Sequence, residues 1–207
     1  MNQTFGILGA GSQADEVEEY APPGAVAFRA VSAEHLPDSS GCIDIVTRDP
    51  ERVSLPVVAA VGAPGLRRHL VSLWSGVRFH TVTAAGASVG RSVTLGVGCI
   101  VAPGAILTYR AQIGDHVIIN VGATISHGSV IGDYATISPG VHIAGDCIIG
   151  EGVFVGIGAV VSHGVSVPAG SVIGAGAAVV HDIDVPGVYV GVPARRIRSL
   201  DDWLYSL

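Results

Sequence analysis

Between Ala87 and Asp182 the chain repeats itself every six residues. Cut into hexads, the segment carries Val, Leu or Ile at the third place of all sixteen units, from Val89 and Leu95 through Ile125, Ile131, Ile137 and Ile143 to Val179. The first place is always Ala, Val, Cys or Ser, and glycines recur at the fourth and sixth places. Neither a two-residue strand period nor a 3.6-residue helical period stays in phase over such a length, so the pattern predicts a repeat architecture, and six is the period of a parallel β-helix. Each hexad supplies a short strand and a turn, and three hexads close one coil of a three-sided prism whose aliphatic third-place side chains stack inward. First-place residues must be small where the core is crowded. At roughly 4.8 Å per coil the column is about 25 Å long. An ordinary β-sandwich would show turn signals every eight to twelve residues and no fixed spacing.

The pattern before the hexads is different. Phe5-Gly6-Ile7-Leu8 reads as a short apolar strand, Gly9-Ala10-Gly11-Ser12-Gln13-Ala14 as a tight turn, and Asp15 to Tyr20 as the start of a helix. Such a turn aims backbone N–H groups and a helix N-terminus at an anion, commonly a phosphate. A tight turn with no ligand reads equally well, and the four acidic residues that follow disfavour a bare polyphosphate while complementing the helix dipole. Ala25 to Val31, Ile43 to Thr47, Leu55 to Val61 and Val77 to His80 are predicted strands. A helix is predicted from Pro64 through Trp74, with Leu66, Leu70 and Leu73 or Trp74 on its inner face and Arg67 and Arg68 turned outward. Alternating strands and helices in about eighty residues imply a small parallel α/β unit, too short for a complete dinucleotide fold. The predicted fold class is thus an α/β Rossmann-like N-terminal subdomain, residues 1–80, followed by a parallel β-helix of hexapeptide repeats, residues 87–194, and a tail, residues 195–207.

Composition narrows the function. The chain is 49% apolar, but no apolar run is long enough to span a membrane, and the valine and isoleucine excess is what a buried column needs. No basic region followed by an apolar stretch opens the sequence, so a cytoplasmic protein is expected. A net charge of -6 and the absence of lysine argue against nucleic acid as a partner. Cys42, Cys99 and Cys147 have no paired spacing and read as reduced small hydrophobes.

The hexads, the Gly9-Ala10-Gly11 turn, the run Asn120-Val121-Gly122-Ala123-Thr124-Ile125-Ser126-His127 and the ending Gly191-Val192-Pro193-Ala194-Arg195 together resemble the sialic-acid and bacillosamine-type sugar O/N-acetyltransferases. The resemblance covers nearly the whole chain. It implies a left-handed β-helix, a homotrimer, acetyl-CoA as co-substrate, a nucleotide-linked sugar as acceptor and no metal. It also implies that His127 is the general base of a direct transfer. Physically, His127 falls at a fifth-place turn position that points outward, and a neutral imidazole can take a proton from an amine or hydroxyl attacking a thioester. His163 and His181 share its column and read as surface histidines, and His142 lies one coil above, close enough to orient substrate.

The departures from the family pattern are informative. The resembling enzymes carry an acidic residue directly after the base, and this chain has Gly128 there. Asp146 lies eighteen residues beyond Gly128 and is expected to stack one coil above it as a substitute carboxylate partner of His127. Gln13 stands where a His is common in the glycine turn, and Arg29-Ala30 where an acidic pair is common. Gly11, Ser12, Gln13 and Gly62 are carried over as contacts to the nucleotide-linked sugar, with Arg29 meeting a phosphate or a sugar substituent. For the acetyl donor the resemblance points to Thr136, Ile157 and Ala175, and Arg195, in the densest basic cluster, suits CoA phosphates. The tail around Trp203, Leu204 and Tyr205 is apolar enough to cover the column's open end or a neighbouring subunit. Two other classes use the same prism. A γ-carbonic-anhydrase-like metalloenzyme needs matched histidine spacings that are missing here, and a non-catalytic trimeric scaffold has no reason to bind acetyl-CoA.

Overall fold

The computed structural model describes residues 4–206; the outermost ends of the predicted front domain and tail, 1–3 and 207, lie outside the described residues. In the front domain β1 (Phe5–Leu8) runs into α1 (Ser12–Tyr20), followed by β2 (Val26–Val31), β3 (Ile43–Asp44), α2 (Pro50–Val53), β4 (Val57–Ala59) and α3 (Pro64–Leu73). The four strands form a parallel sheet in the order β3-β2-β1-β4. Every residue of β1 is buried, as befits a central strand covered on both faces. Gly9 follows it at φ 124°, and a Cβ there would stand 3.1 Å from the carbonyl oxygen of Ala60, so the turn into α1 admits only glycine.

Several predicted strands are shorter than the apolar runs suggested. The segment from Ile43 to Thr47 keeps only its first two residues in the sheet, because the Asp44 carboxylate accepts the Val46 N–H at 3.0 Å and turns the chain. Leu55 to Val61 contributes Val57–Ala59, and Val77 to His80 makes a single bridge, between Phe79 and Val57.

The hexads build the predicted prism. Three parallel sheets form its walls, each strand pairing with the one eighteen residues on: Ile118 with Thr136, Thr124 with His142, Val130 with Ile148. First- and third-place residues make one continuous core, including Cys99, Ala123, Ile125, Ile137, Cys147 and Val155, all at most 1% exposed. Burial pushes the Cys99 thiol up to about 11, so it stays protonated. The column starts at Val82–Thr83, five residues before the first hexad, and ends in a hairpin in which Val188–Val190 pairs antiparallel with Arg195–Arg198.

The front domain docks on one wall. The outward residues Ile100 and Ile118 of that wall are buried among Phe5, Ile7, Val17 and Val58. The other two walls present Ile106 and Val160, and Val130 and Ile148, to solvent. Arg67, expected on the outer face of α3, is fully buried at the junction. Its guanidinium donates to the carbonyls of Val61 and Gly62 in the front domain and of His116, Tyr134 and Ala135 in the column, and to the Thr136 hydroxyl at 2.9 Å. Desolvation pushes its pKa down to about 9, still high enough to keep it charged at neutral pH. The tail does not cover the open end. Trp203 lies along the side of the column against Gly152 and Gly170, Arg68 of α3 stacks on its ring at 4.0 Å, and the Leu204 carbonyl accepts the Gly65 N–H at 2.8 Å.

Candidate active site

The corner between the two undocked walls carries Tyr109-Arg110, His127-Gly128, Gly145-Asp146 and His163-Gly164 on successive coils. Backbone bonds hold these turns in register: Gly128 N–H donates to Tyr109 O at 3.0 Å, Asp146 N–H to His127 O at 2.8 Å, and Gly164 N–H to Gly145 O at 2.9 Å. His127 projects from this ladder with its side chain 57% exposed, and Asp146 Oδ1 lies 3.8 Å from its Nδ1.

Two glycines make room for the pair. The imidazole of His127 lies over Gly145, where a Cβ would come within 2.6 Å of Nε2 and 2.8 Å of Nδ1. The Asp146 carboxylate fills the space that a side chain at Gly128 would need. A carboxyl group therefore stands beside His127 although the next residue in sequence has no side chain; it is supplied by the following coil. Asp146 adopts a left-handed conformation, φ 58°, which Asp tolerates better than most residues. A second imidazole was not foreseen in this arrangement: His163 Nε2 lies 3.8 Å from Asp146 Oδ2.

The other predicted positions are dispersed. His142 is on an undocked wall, where its Nδ1 is 2.8 Å from the Thr124 hydroxyl. Gln13 and Gly62 line a cavity of about 240 Å³ between the front domain and the docked wall, together with Glu16, Asn120, Thr136 and Ser138. Thr136 is 2% exposed, and its hydroxyl is already committed, donating to Gly62 O at 2.7 Å and accepting from Arg67. It is a strut of the domain junction and has no hydroxyl free for an acetyl donor. Ile157 and Ala175 are exposed at the corner between the docked wall and the wall of His142, one coil apart.

Gly11 lines a crevice of about 310 Å³ at the carboxyl ends of the front-domain strands, with Ser12 exposed beside it. The polar side chains there are Ser32, His35 and Ser39. Arg29 is elsewhere: it lies inside β2, where its guanidinium bonds Asp15 and Glu18 of α1, each at 2.6 Å. Its charge is spent on α1, so the contact to a phosphate or sugar expected of it is not available. The strand runs two residues past Arg29, and the residue after its end is Ser32. Arg195 lines a cavity of about 210 Å³ at the far end of the column, with His181 and Arg196. It stands on an edge strand.

Asn120, Ser138, Glu16, Ser32 and His35 were not singled out from the sequence as site residues. Asn120 had a visible signal, since it opens the run that ends in His127. Ser32 and His35 follow the predicted strand end at Val31, but nothing in their own sequence marks them as lining a crevice. Among the described residues no group of three or more His, Cys, Asp or Glu side chains is arranged to hold a metal ion, and no helix is long and apolar enough to cross a membrane.

Comparison with known proteins fits this layout. Residues 110–145 match the bacterial transferase hexapeptide (six repeats) family. A search of curated proteins by sequence finds no match. Among solved structures, the acetyltransferase domain of PglB from Neisseria gonorrhoeae superposes with a TM-score of 0.82 at 26% identity, covering 95% of this chain and 100% of that one. PerB from Caulobacter crescentus, a perosamine N-acetyltransferase solved with CoA and GDP-perosamine, superposes with a TM-score of 0.81 at 29% identity, covering 94% and 97%. WeeI from Acinetobacter baumannii, at 23% identity and a TM-score of 0.74, shares the fold over 93% and 99%. The fold is a left-handed β-helix of hexapeptide repeats behind a small α/β front domain. Over nearly its whole length, front domain included, the chain is similar to the PglB acetyltransferase domain and to the perosamine N-acetyltransferase PerB.

Proposed function

We propose that the protein transfers an acetyl group from acetyl-CoA to an amino or hydroxyl group of a nucleotide-linked sugar, with His127 as general base. The observation that carries this reading is an exposed imidazole on a corner of the hexad column with the Asp146 carboxylate 3.8 Å from its Nδ1. The PglB domain has been solved with acetyl coenzyme A, and PerB with CoA and its nucleotide sugar.

An ionised Asp146 favours the tautomer of His127 with its proton on Nδ1, leaving Nε2 as the acceptor. As the sugar nitrogen or oxygen attacks the thioester carbonyl, the new bond to carbon forms, the C–S bond breaks, and Nε2 takes the proton from the attacking atom. The CoA thiolate leaves and is protonated. No covalent enzyme intermediate is needed, so holding both substrates in line supplies much of the rate.

The fold also constrains how the site is assembled. The front domain covers one wall of the prism, and His127 stands on the opposite corner, between the other two walls. The crevice at Gly11 and the junction cavity at Gln13 and Gly62 therefore face away from the base of their own protomer. In this reading a neighbouring protomer brings its front domain to His127, in a homotrimer packed through the undocked walls, whose exposed apolar residues include Ile106, Val130, Ile148 and Val160. Ile157 and Ala175 then flank the pantetheine arm, and Arg195 serves a CoA phosphate. Nucleotide-linked amino and hydroxy sugars offered with acetyl-CoA should release free thiol, and His127→Ala should abolish that release. Undiminished release by the variant refutes the assignment of the base.

A further inference from the structure

The Asp146 carboxylate has two imidazole neighbours, one at each oxygen. Oδ1 lies 3.8 Å from His127 Nδ1 and Oδ2 lies 3.8 Å from His163 Nε2, with the two rings 6.2 Å apart and tilted by 52°. We propose that His163 is a positioning residue of the transfer reaction: by engaging Oδ2 it fixes the Asp146 carboxylate so that Oδ1 stays directed at His127.

The argument starts from the missing side chain at Gly128. A carboxylate attached to the residue next to the base would be held by its own backbone. The Asp146 carboxylate instead reaches back from the following coil, and its side chain is 56% exposed. An exposed carboxylate rotates about its side-chain bonds unless something engages its second oxygen. No protein donor within hydrogen-bond distance holds Asp146 among the described residues, and His163, one coil further along the same corner, is the group that faces that oxygen. At 3.8 Å a bridging water or a small rotation completes each contact. Both imidazoles then present N–H to a single ionised carboxylate, and His127 keeps Nε2 free for the acceptor.

The other charged and titratable groups on this corner have different partners. Arg110, one coil before His127, stacks on Tyr109 at 4.9 Å. On the adjoining wall His142 bonds Thr124, and beyond His163 the Asp182 carboxylate accepts the Ser166 N–H at 2.8 Å, beside His181.

The proposal rests on the acetyl-transfer reading, and its test separates the two. In the full-length protein, His163→Ala should lower kcat about 3- to 10-fold with the KM for acetyl-CoA unchanged, because the base stays in place and only its carboxylate partner is loosened. His163→Gln keeps an N–H donor without a titrating ring and should recover most of that loss. In an Asp146→Asn background, His163→Ala should have no further effect, because the group it positions is gone. Wild-type kcat in His163→Ala, or the same proportional loss in both backgrounds, overturns the proposal. If the wild-type protein releases no thiol with any acceptor, the acetyl-transfer reading fails instead. The coupling is then read from the side-chain ¹⁵N titration of His127, which should change in His163→Ala as it does in Asp146→Asn. A curve unchanged in His163→Ala overturns the proposal.

Discussion

Gly145→Ala tests the geometry of His127 as the proposed base without touching its chemistry. The added methyl would stand 2.6 Å from His127 Nε2 and 2.8 Å from Nδ1, where ordinary contacts begin at 3.4 Å, so the ring must retreat by about 1 Å or swing outward. Gly145 does not use the left-handed region, so alanine adds no backbone strain. His127 is exposed, so its displacement costs the fold little, and stability should change by no more than about 0.5 kcal/mol. Catalysis is far less tolerant, because a displacement of about 1 Å in a positioned group typically costs about 100-fold. Thiol release with saturating acetyl-CoA and acceptor should therefore fall about 100-fold in kcat, with unchanged circular dichroism and oligomeric state. A variant within twofold of wild-type kcat would show that His127 does not act from the position over Gly145.

Two further outcomes probe the junction that holds the front domain. Arg67→Met should cost about 3 kcal/mol or more in urea unfolding, because it leaves several buried carbonyls in both domains without their donor. His116 is buried between Phe79 and Tyr134 with its Nδ1 unpartnered, and desolvation holds its pKa below the ordinary value. The unfolded chain then binds more protons than the native one below about pH 6.5, so this residue makes stability fall as the pH drops. His116→Phe should flatten the dependence of unfolding free energy on pH between about 5 and 7, and an unaltered slope would assign the effect to other groups.

Most of the column was legible because its physics is local and repeated. A residue whose neighbours lie six and eighteen positions away has its environment written in the periodicity, and the inward places from Val89 to Val179 follow from it. The same arithmetic placed Asp146 beside His127, although the position after His127, acidic in the resembling enzymes, is Gly128 here. Strand lengths in the front domain were less legible, since the side chain of Asp44 ends β3 inside an apolar run. Arg29 was assigned to a ligand because it stands where the resembling family carries an acidic pair. In the fold it lies inside β2, as the predicted strand has it, and its guanidinium is neutralised by two carboxylates of α1.

By itself, then, the sequence determined the prism, its register, the outward corner position of His127 and the coil that supplies its carboxylate, because a strict repeat converts spacing directly into contact. Only the tertiary structure decided which wall the front domain covers, that Arg67 and Thr136 are committed to that junction, that Trp203 lies along the column and not over its end, and that His163 faces the second oxygen of Asp146. These depend on side-chain directions and on contacts between segments with no common period, and packing settles them once the chain has folded.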